Sequence, residues 1–334
     1  MSRELIPPGL VYLAGNIASK QNIIGASKEQ GARWAKDLNL PKRAETIFFA
    51  GCGYQFSGQL ETLMSLLRQM DQSVIGAELP LRFANFQKRL GVDLAGIYRK
   101  LLARDTEGEA GPLRAAVTVL QKLGIKFGYL AEEEPCCGAP LYQAGLHREF
   151  AANARQAYRK MKALGVKRLI GIVPYCTHAL KKLFPLYVDG FDIEVRHFLE
   201  LVIENLPTRK LRFPREAKVT YHDPCQLVRY LGLVEEPRRV LGSIENIELV
   251  EPDWTKREWA TCCGGGGGFE TVFPLLSQIL AVNRAKELME TGAEIIVTHC
   301  PGCVLQLENG LKELKAKNIE VMDLAQVIAM SLEE

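Results

Sequence analysis

The chain of 334 residues carries 42 Lys and Arg against 39 Asp and Glu, a formal net charge of +3, with 47% hydrophobic and 24% charged residues. That balance belongs to globular proteins and excludes disordered, collagen-like and low-complexity classes, while roughly 150 residues per domain allows two units with their own cores. Basic residues occur only in short clusters, such as Lys36, Lys42 and Arg43 or Arg209, Lys210 and Arg212, which with the near-neutral charge argues against a nucleic-acid partner.

Residues 1–8 hold charges and two prolines instead of a basic stretch followed by an apolar one, so they do not read as a secretory signal. No apolar run nears the roughly 20 residues that cross a bilayer; the longest, 169–173, is cut by Pro174 and Tyr175, and direct membrane insertion is not expected. The expected location is the cytoplasm. Thiols stay reduced there, and nine cysteines read as metal ligands or redox groups instead of disulfides. Residues 1–45 form a preamble, helical at 29–38 and otherwise irregular.

From residue 46 onward, short apolar runs lead to cysteines and are followed by helical patterns. Run 46–50 leads to Cys52, 169–173 to Cys176, 218–221 to Cys225 and 294–298 to Cys300. This predicts an α/β chain in two pseudo-repeated domains. Each is a small parallel sheet with flanking helices and cysteine loops at the carboxyl ends of its strands, where ligand sites form in such sheets.

The repeat is visible within the sequence. Residues 193–199 (IEVRHFL) can be laid on 319–325 (IEVMDLA), and Cys136-Cys137-Gly138 on Cys262-Cys263-Gly264. The first copy spans 46–206, the second 218–334, and a proline-bounded basic linker fills 207–217. Between Cys52 and Cys136 lie 83 residues, against 36 between Cys225 and Cys262, so the first copy carries an insertion. It is placed near 76–111, where Phe86, Leu90, Leu94 and Ile97 among Arg and Lys suggest amphipathic helices on the rim.

In the second copy Cys225, Cys262, Cys263, Cys300 and Cys303 put five thiols on three loops. Five exceed the four taken by a structural zinc or a cubane cluster, which points to a polynuclear iron–sulfur group. The glycine run 264–268 lets backbone N–H groups approach such a group; it lacks the Gly-Lys-Ser/Thr of a phosphate loop. A thioredoxin-like reading of Cys300 and Cys303 leaves the other three thiols unexplained.

In the first copy Cys52, Cys136, Cys137 and Cys176 remain. Laying Cys176 on Cys300 puts Ala179 opposite Cys303, so four thiols suit a cubane cluster or zinc, with His178 able to replace one. His222 and His299 sit beside ligand cysteines and either donate to the site or only cap strand loops. His197 reads as a core or interface residue and His147 as a surface one.

These residues resemble the cysteine-rich CCG domain proteins typified by the B subunit of heterodisulfide reductase and the catalytic region of its D subunit. The resemblance rests on the doubled pattern of a lone Cys, Cys-Cys-Gly and a further Cys, and on His222-Asp223-Pro224-Cys225. It implies a noncubane 4Fe-4S cluster on Cys225, Cys262, Cys263, Cys300 and Cys303, with His222 assisting. Cys52, Cys136, Cys137 and Cys176 would hold a second 4Fe-4S cluster or zinc. The implied partners are a ferredoxin protein like the C subunit of that enzyme and a flavin protein like its A subunit. The implied substrate is a disulfide or thiol, and the preamble becomes a docking arm. Two other readings stand beside this one. The first is an electron-transfer subunit linking a dehydrogenase (lactate, glycolate or acyl-CoA type) to a quinone or other carrier; the second is a zinc-stabilised scaffold.

Overall fold

The structure is a computed structural model that describes residues 6–71, 111–206 and 211–332. The insertion expected near 76–111 lies almost wholly outside the described residues, as do 207–210 of the expected linker.

Two parallel sheets form the frame. The first, in the order β1-β2-β3, is built from Thr46–Phe49, Arg168–Gly171 and Glu194–His197. The second, in the order β5-β4-β6-β7, joins β4 (Leu211–Tyr221), β5 (Ile244–Leu249), β6 (Ile295–Thr298) and β7 (Glu320–Asp323). Strands β1 and β6 are short and mostly apolar, TIFF and IIVT, and their apolar residues are buried. The first sheet has a remnant of a fourth strand at Gly128, whose N–H donates to Thr46 O while its carbonyl accepts from Phe48 N.

The halves share their main elements, although the second sheet has one strand more. Helices His147–Ala163 and Pro274–Met289 feed β2 and β6, with Gly165 and Gly292 each three residues ahead of the strand. His197 and Asp323, ending β3 and β7, each cap the following helix in a reciprocal box with Glu200 and Gln326.

Three features depart from the sequence reading. The expected linker becomes strand: β4 starts at Leu211, and Pro214 is tolerated because pairing with β5 shifts register between Arg212 and Ala217. The preamble is mostly helical and integral to the fold. Helix Pro8–Lys20, unforeseen in sequence, buries Tyr12, Leu13 and Ile17, and Lys28 donates to Glu134 O at 2.6 Å. The two copies also share their main core, beside a smaller apolar cluster of Ala285, Leu288, Ile296, Leu307 and Leu311 confined to the second. The main cluster runs from Ile47 and Leu120 of the first half to Ile295 and Leu324 of the second, because helix Leu324–Ser331 packs on helix Gly111–Lys122. Among the described residues no helix is long and apolar enough to cross a membrane.

A shared core makes unfolding common to both halves. Leu120→Ala and Leu324→Ala should each cost about 2 to 5 kcal/mol and each lower one cooperative transition in chemical denaturation. Two separable transitions, only one of them moved, would contradict this.

Candidate metal centre

All nine cysteines are free and gather into two sets at the carboxyl ends of the strands. In the first half, Cys52 opens a helical turn after Gly51, whose φ of +69° favours glycine; a Cβ there would stand 2.9 Å from Val173 Cγ2 and 3.0 Å from Cys176 Sγ. Buried Glu134 ties this loop to the Cys136 loop. Its Oε2 accepts from Ala50 N at 2.8 Å, and its Oε1 from Gly51 N at 3.0 Å and Gln55 Nε2 at 2.9 Å. Asn153 Nδ2 donates to Cys136 O, and Cys137 Sγ lies 3.2 Å from Cys176 Sγ in the first turn of a helix opened by Pro174.

The second half repeats the plan. Gly264 N approaches Cys262 Sγ at 3.3 Å, as Gly138 N approaches Cys136 Sγ at 3.4 Å. Cys263 Sγ lies 3.2 Å from Cys303 Sγ, in the first turn of a helix opened by Pro301 and preceded by Cys300. The Cys225 loop is braced differently, by Asp223 bound bidentately to Arg238 at 2.8 Å on both oxygens, with Arg238 also reaching Glu251.

The strand pairings correct the internal alignment. Gly171 stands opposite His197, and Thr298 opposite Asp323, so Cys176 corresponds to Cys303 and Val173 to Cys300. The missing fifth thiol is therefore at Val173, and Ala179 is a buried helix residue with no counterpart in the set. Matching the first cysteine after each strand slipped the register by three. The helix-opening prolines 174 and 301 were the sequence signal that sets it.

Buried sulfur crowded on sulfur resists ionisation. Contact with Cys136 and burial push Cys52 well up, and the Cys137 contact raises Cys136 to about 12. At Cys137 and Cys176 the hydrogen bonds from Cys136 and Cys137 act downward, but sulfur neighbours and burial prevail, leaving Cys176 at about 11. Burial raises Cys225 to about 11, and sulfur contacts raise Cys262 and Cys303. Cys263 alone is lowered, by donors Cys262 and Cys303 and then His222. Such a donor set fits a metal or cluster, whose positive charge reverses this balance and deprotonates coordinating thiols.

The histidines divide. His222 is buried; one atom each from it, Cys263 and Cys303 lie within 4.8 Å of one another, and its Nδ1 accepts from Arg284 Nε at 3.0 Å. His299, although next to Cys300, pairs through Nδ1 with Asp323 at 3.0 Å and packs edge-on against His197, in the seam between the halves. Tyr54 OH also donates to Asp323. His197 is the buried helix cap, while His178 packs at a tilt against Tyr230 instead of joining the first set. His147 lies on the surface, bonded to Tyr187 OH. Sequence reasoning missed Glu134 and Arg284, whose partners lie 84 and 62 residues away.

Both sets open onto one cavity of about 320 Å³, lined by Cys52, Cys137 and Cys176 from one side and Cys225, Cys262, Cys300 and Cys303 from the other. Glycines 265–268 form part of its wall, and Leu13 and Ile23 of the preamble close it. A Cβ on Gly268, at φ +85°, would stand 2.6 Å from Leu10 Cδ2, so the glycine lets the preamble pack on the loop.

A family model described as a cysteine-rich domain (CCG) matches residues 102–181 and 219–308. The matches contain every site cysteine except Cys52. Among curated proteins the chain is 35% identical over 224 residues to the D subunit of a heterodisulfide reductase of Methanosarcina barkeri, covering 65% of this chain and 54% of the relative. It is 33% identical to an EtfAB:quinone oxidoreductase of Syntrophomonas wolfei, covering 66% and 32%. With an iron–sulfur protein of Methanocaldococcus jannaschii it shares 26% identity, covering 83% and 55%. The chain thus spans about half the length, or less, of these relatives.

Burial holds the Glu134 carboxyl at about 7 against an ordinary 4.5, despite its hydrogen bonds. A raised folded value means full stabilisation below 4.5, lost as pH rises through 7. Metal-free protein should therefore lose on the order of 3 kcal/mol across that window. Glu134→Gln should flatten the loss in urea titrations followed by circular dichroism, and an unchanged slope would contradict this.

Proposed function

The chain belongs to the cysteine-rich CCG domain family, and from that premise we propose that it is an iron–sulfur oxidoreductase subunit of heterodisulfide reductase type, which reduces or forms an S–S bond. One observation carries the reading: both thiol sets face a single cavity, so a sulfur substrate held there lies between them.

In this reading Cys225, Cys262, Cys263, Cys300 and Cys303 hold a noncubane 4Fe-4S cluster. Cys52, Cys136, Cys137 and Cys176 hold a second 4Fe-4S cluster or zinc. A bound cluster supplies electrons singly and an iron position soft enough to take a substrate sulfur. The residues of the chain do the rest. Val173 in place of a fifth thiol makes the halves unequal, which suits a second-half site that meets substrate and a first-half site that relays or only braces. Leu13, Ile23 and Val173 keep part of the cavity wall apolar, favouring a thiol or disulfide over hydrated anions. His222 faces Cys263 as a buried donor to sulfur. Opening a disulfide takes two electrons and two protons. The proposed electron sources, in the cytoplasm, are a ferredoxin protein like the C subunit of heterodisulfide reductase and a flavin protein like its A subunit.

A relay between a dehydrogenase and a quinone is the second reading. It is favoured by the comparable identity, 33%, to the EtfAB:quinone oxidoreductase. Substrate-dependent spectra separate the two.

In anaerobically purified protein, adding a small thiol or disulfide should change the electron paramagnetic resonance of the second-half site. Cys303→Ser should abolish that change, while Cys52→Ser should preserve it and lower the content of the first-half metal, iron or zinc. A thiol-dependent signal that survives Cys303→Ser would sink the assignment, and a wild-type signal indifferent to thiols would favour the relay.

A further inference from the structure

Behind the second cysteine set stand two buried polar side chains that the first set lacks. The halves superpose by strand register: Phe49 pairs with Gly171 next to the His197 cap, and His222 follows Tyr221, which pairs with Val297. Phe49 and His222 therefore correspond, each three residues before the lone cysteine of its half. Ala157 and Arg284 correspond too, each eight residues before the glycine that precedes β2 or β6. All four are at most 1% exposed, so one half fills this space with a phenyl ring and a methyl group, the other with an imidazole and a guanidinium.

The polar pair is wired in one direction. Arg284 Nη1 donates to Glu287 at 2.7 Å and to Thr255 and Thr261 at 3.2 Å, which fixes the guanidinium, and its Nε donates to His222 Nδ1 at 3.0 Å. A guanidinium has only donors, so Nδ1 must be the accepting nitrogen and the ring proton must sit on Nε2. Nε2 is then the nitrogen left to face the sulfurs of Cys263 and Cys303, each of which has its Sγ within 4.8 Å of a His222 ring nitrogen. With Cys225, Cys263 and Cys303 deprotonated on a metal group, that proton has sulfur as its acceptor.

We propose that Arg284 is a positioning residue that holds His222 as the Nε2–H tautomer, so that His222 donates to Cys263 sulfur and raises the reduction potential of the second-half iron–sulfur group above the value it would have without that donor. The inference rests on the iron–sulfur reading of the second set. Donation to a coordinating thiolate draws charge off the sulfur and favours the more negative, reduced state. Phe49 and Ala157 supply no such donor in the first half. The pair therefore biases electrons within the chain toward the second set.

The test is a redox titration of the anaerobic holoprotein followed by electron paramagnetic resonance, with iron and sulfide content measured alongside. His222→Phe combined with Arg284→Ala installs the pair that the first half already packs, which guards the fold. Wild-type iron content and a negative shift of the second-half midpoint are expected, and where the first set holds a cluster its midpoint stays unmoved. An exchangeable proton coupled to the second-half signal should also disappear. Arg284→Met alone, which removes the donor to Nδ1 and keeps an unbranched side chain, should move the midpoint in the same direction. An unchanged second-half midpoint in the double variant, or both midpoints moving together, overturns the proposal. Wild-type protein without iron or sulfide would instead overturn the reading beneath it.

Discussion

Thiols held 3.2 Å apart in a buried site cannot share out negative charge by themselves, and the architecture follows from that constraint. Seven of the nine cysteines have a thiol pushed above its ordinary range, and only Cys263 is drawn down. A cation makes such a set favourable, and a chain that pre-assembles it needs stiff supports. Parallel strands provide them, because their carboxyl ends point loops in one direction. Buried struts complete the frame: Glu134 ties the Cys52 and Cys136 loops together, and the Arg238–Asp223 pair braces the Cys225 loop. A carboxyl this deeply buried is costly to ionise, and the fan of donors around Glu134 offsets that cost only in part.

Duplication placed two such sets around one space, and divergence made them unequal. Val173 removes one thiol from the first half, and Phe49 with Ala157 removes the polar wiring that His222 and Arg284 give the second. Meanwhile the halves grew together. The core shared by helices Gly111–Lys122 and Leu324–Ser331 keeps the two sets in a fixed relation, and the preamble seals the cavity from one side. Under the proposed sulfur chemistry, that rigidity would hold a substrate at a fixed place between the two thiol sets.

Much of this was legible in the sequence for a physical reason. Apolar runs too short to be helices, each ending near a cysteine, predict parallel sheets with sites at one edge, and the doubled Cys-Cys-Gly marks the repeat. Pairings over long sequence distances were hidden. Glu134 reads as one of three adjacent glutamates on a surface turn, and Arg284 as one of many helix arginines, until the fold brings Ala50 and His222 to them. Helix Pro8–Lys20 escaped although Pro8 at its first position is a helix-start signal, and its buried face packs against the segments around Gly268 and Thr271 that lie far off in sequence. The register slip at Cys176 arose because a cysteine is a more conspicuous marker than the proline that opens the helix.

The most direct measurement is anomalous diffraction from crystals of anaerobically purified protein, collected at the iron and zinc edges. The account predicts iron within bonding distance of Cys225, Cys262, Cys263, Cys300 and Cys303, and a separate metal centre on Cys52, Cys136, Cys137 and Cys176 across the cavity. Zinc in the second set, or metal bridging sulfurs of both halves in one centre, would contradict it.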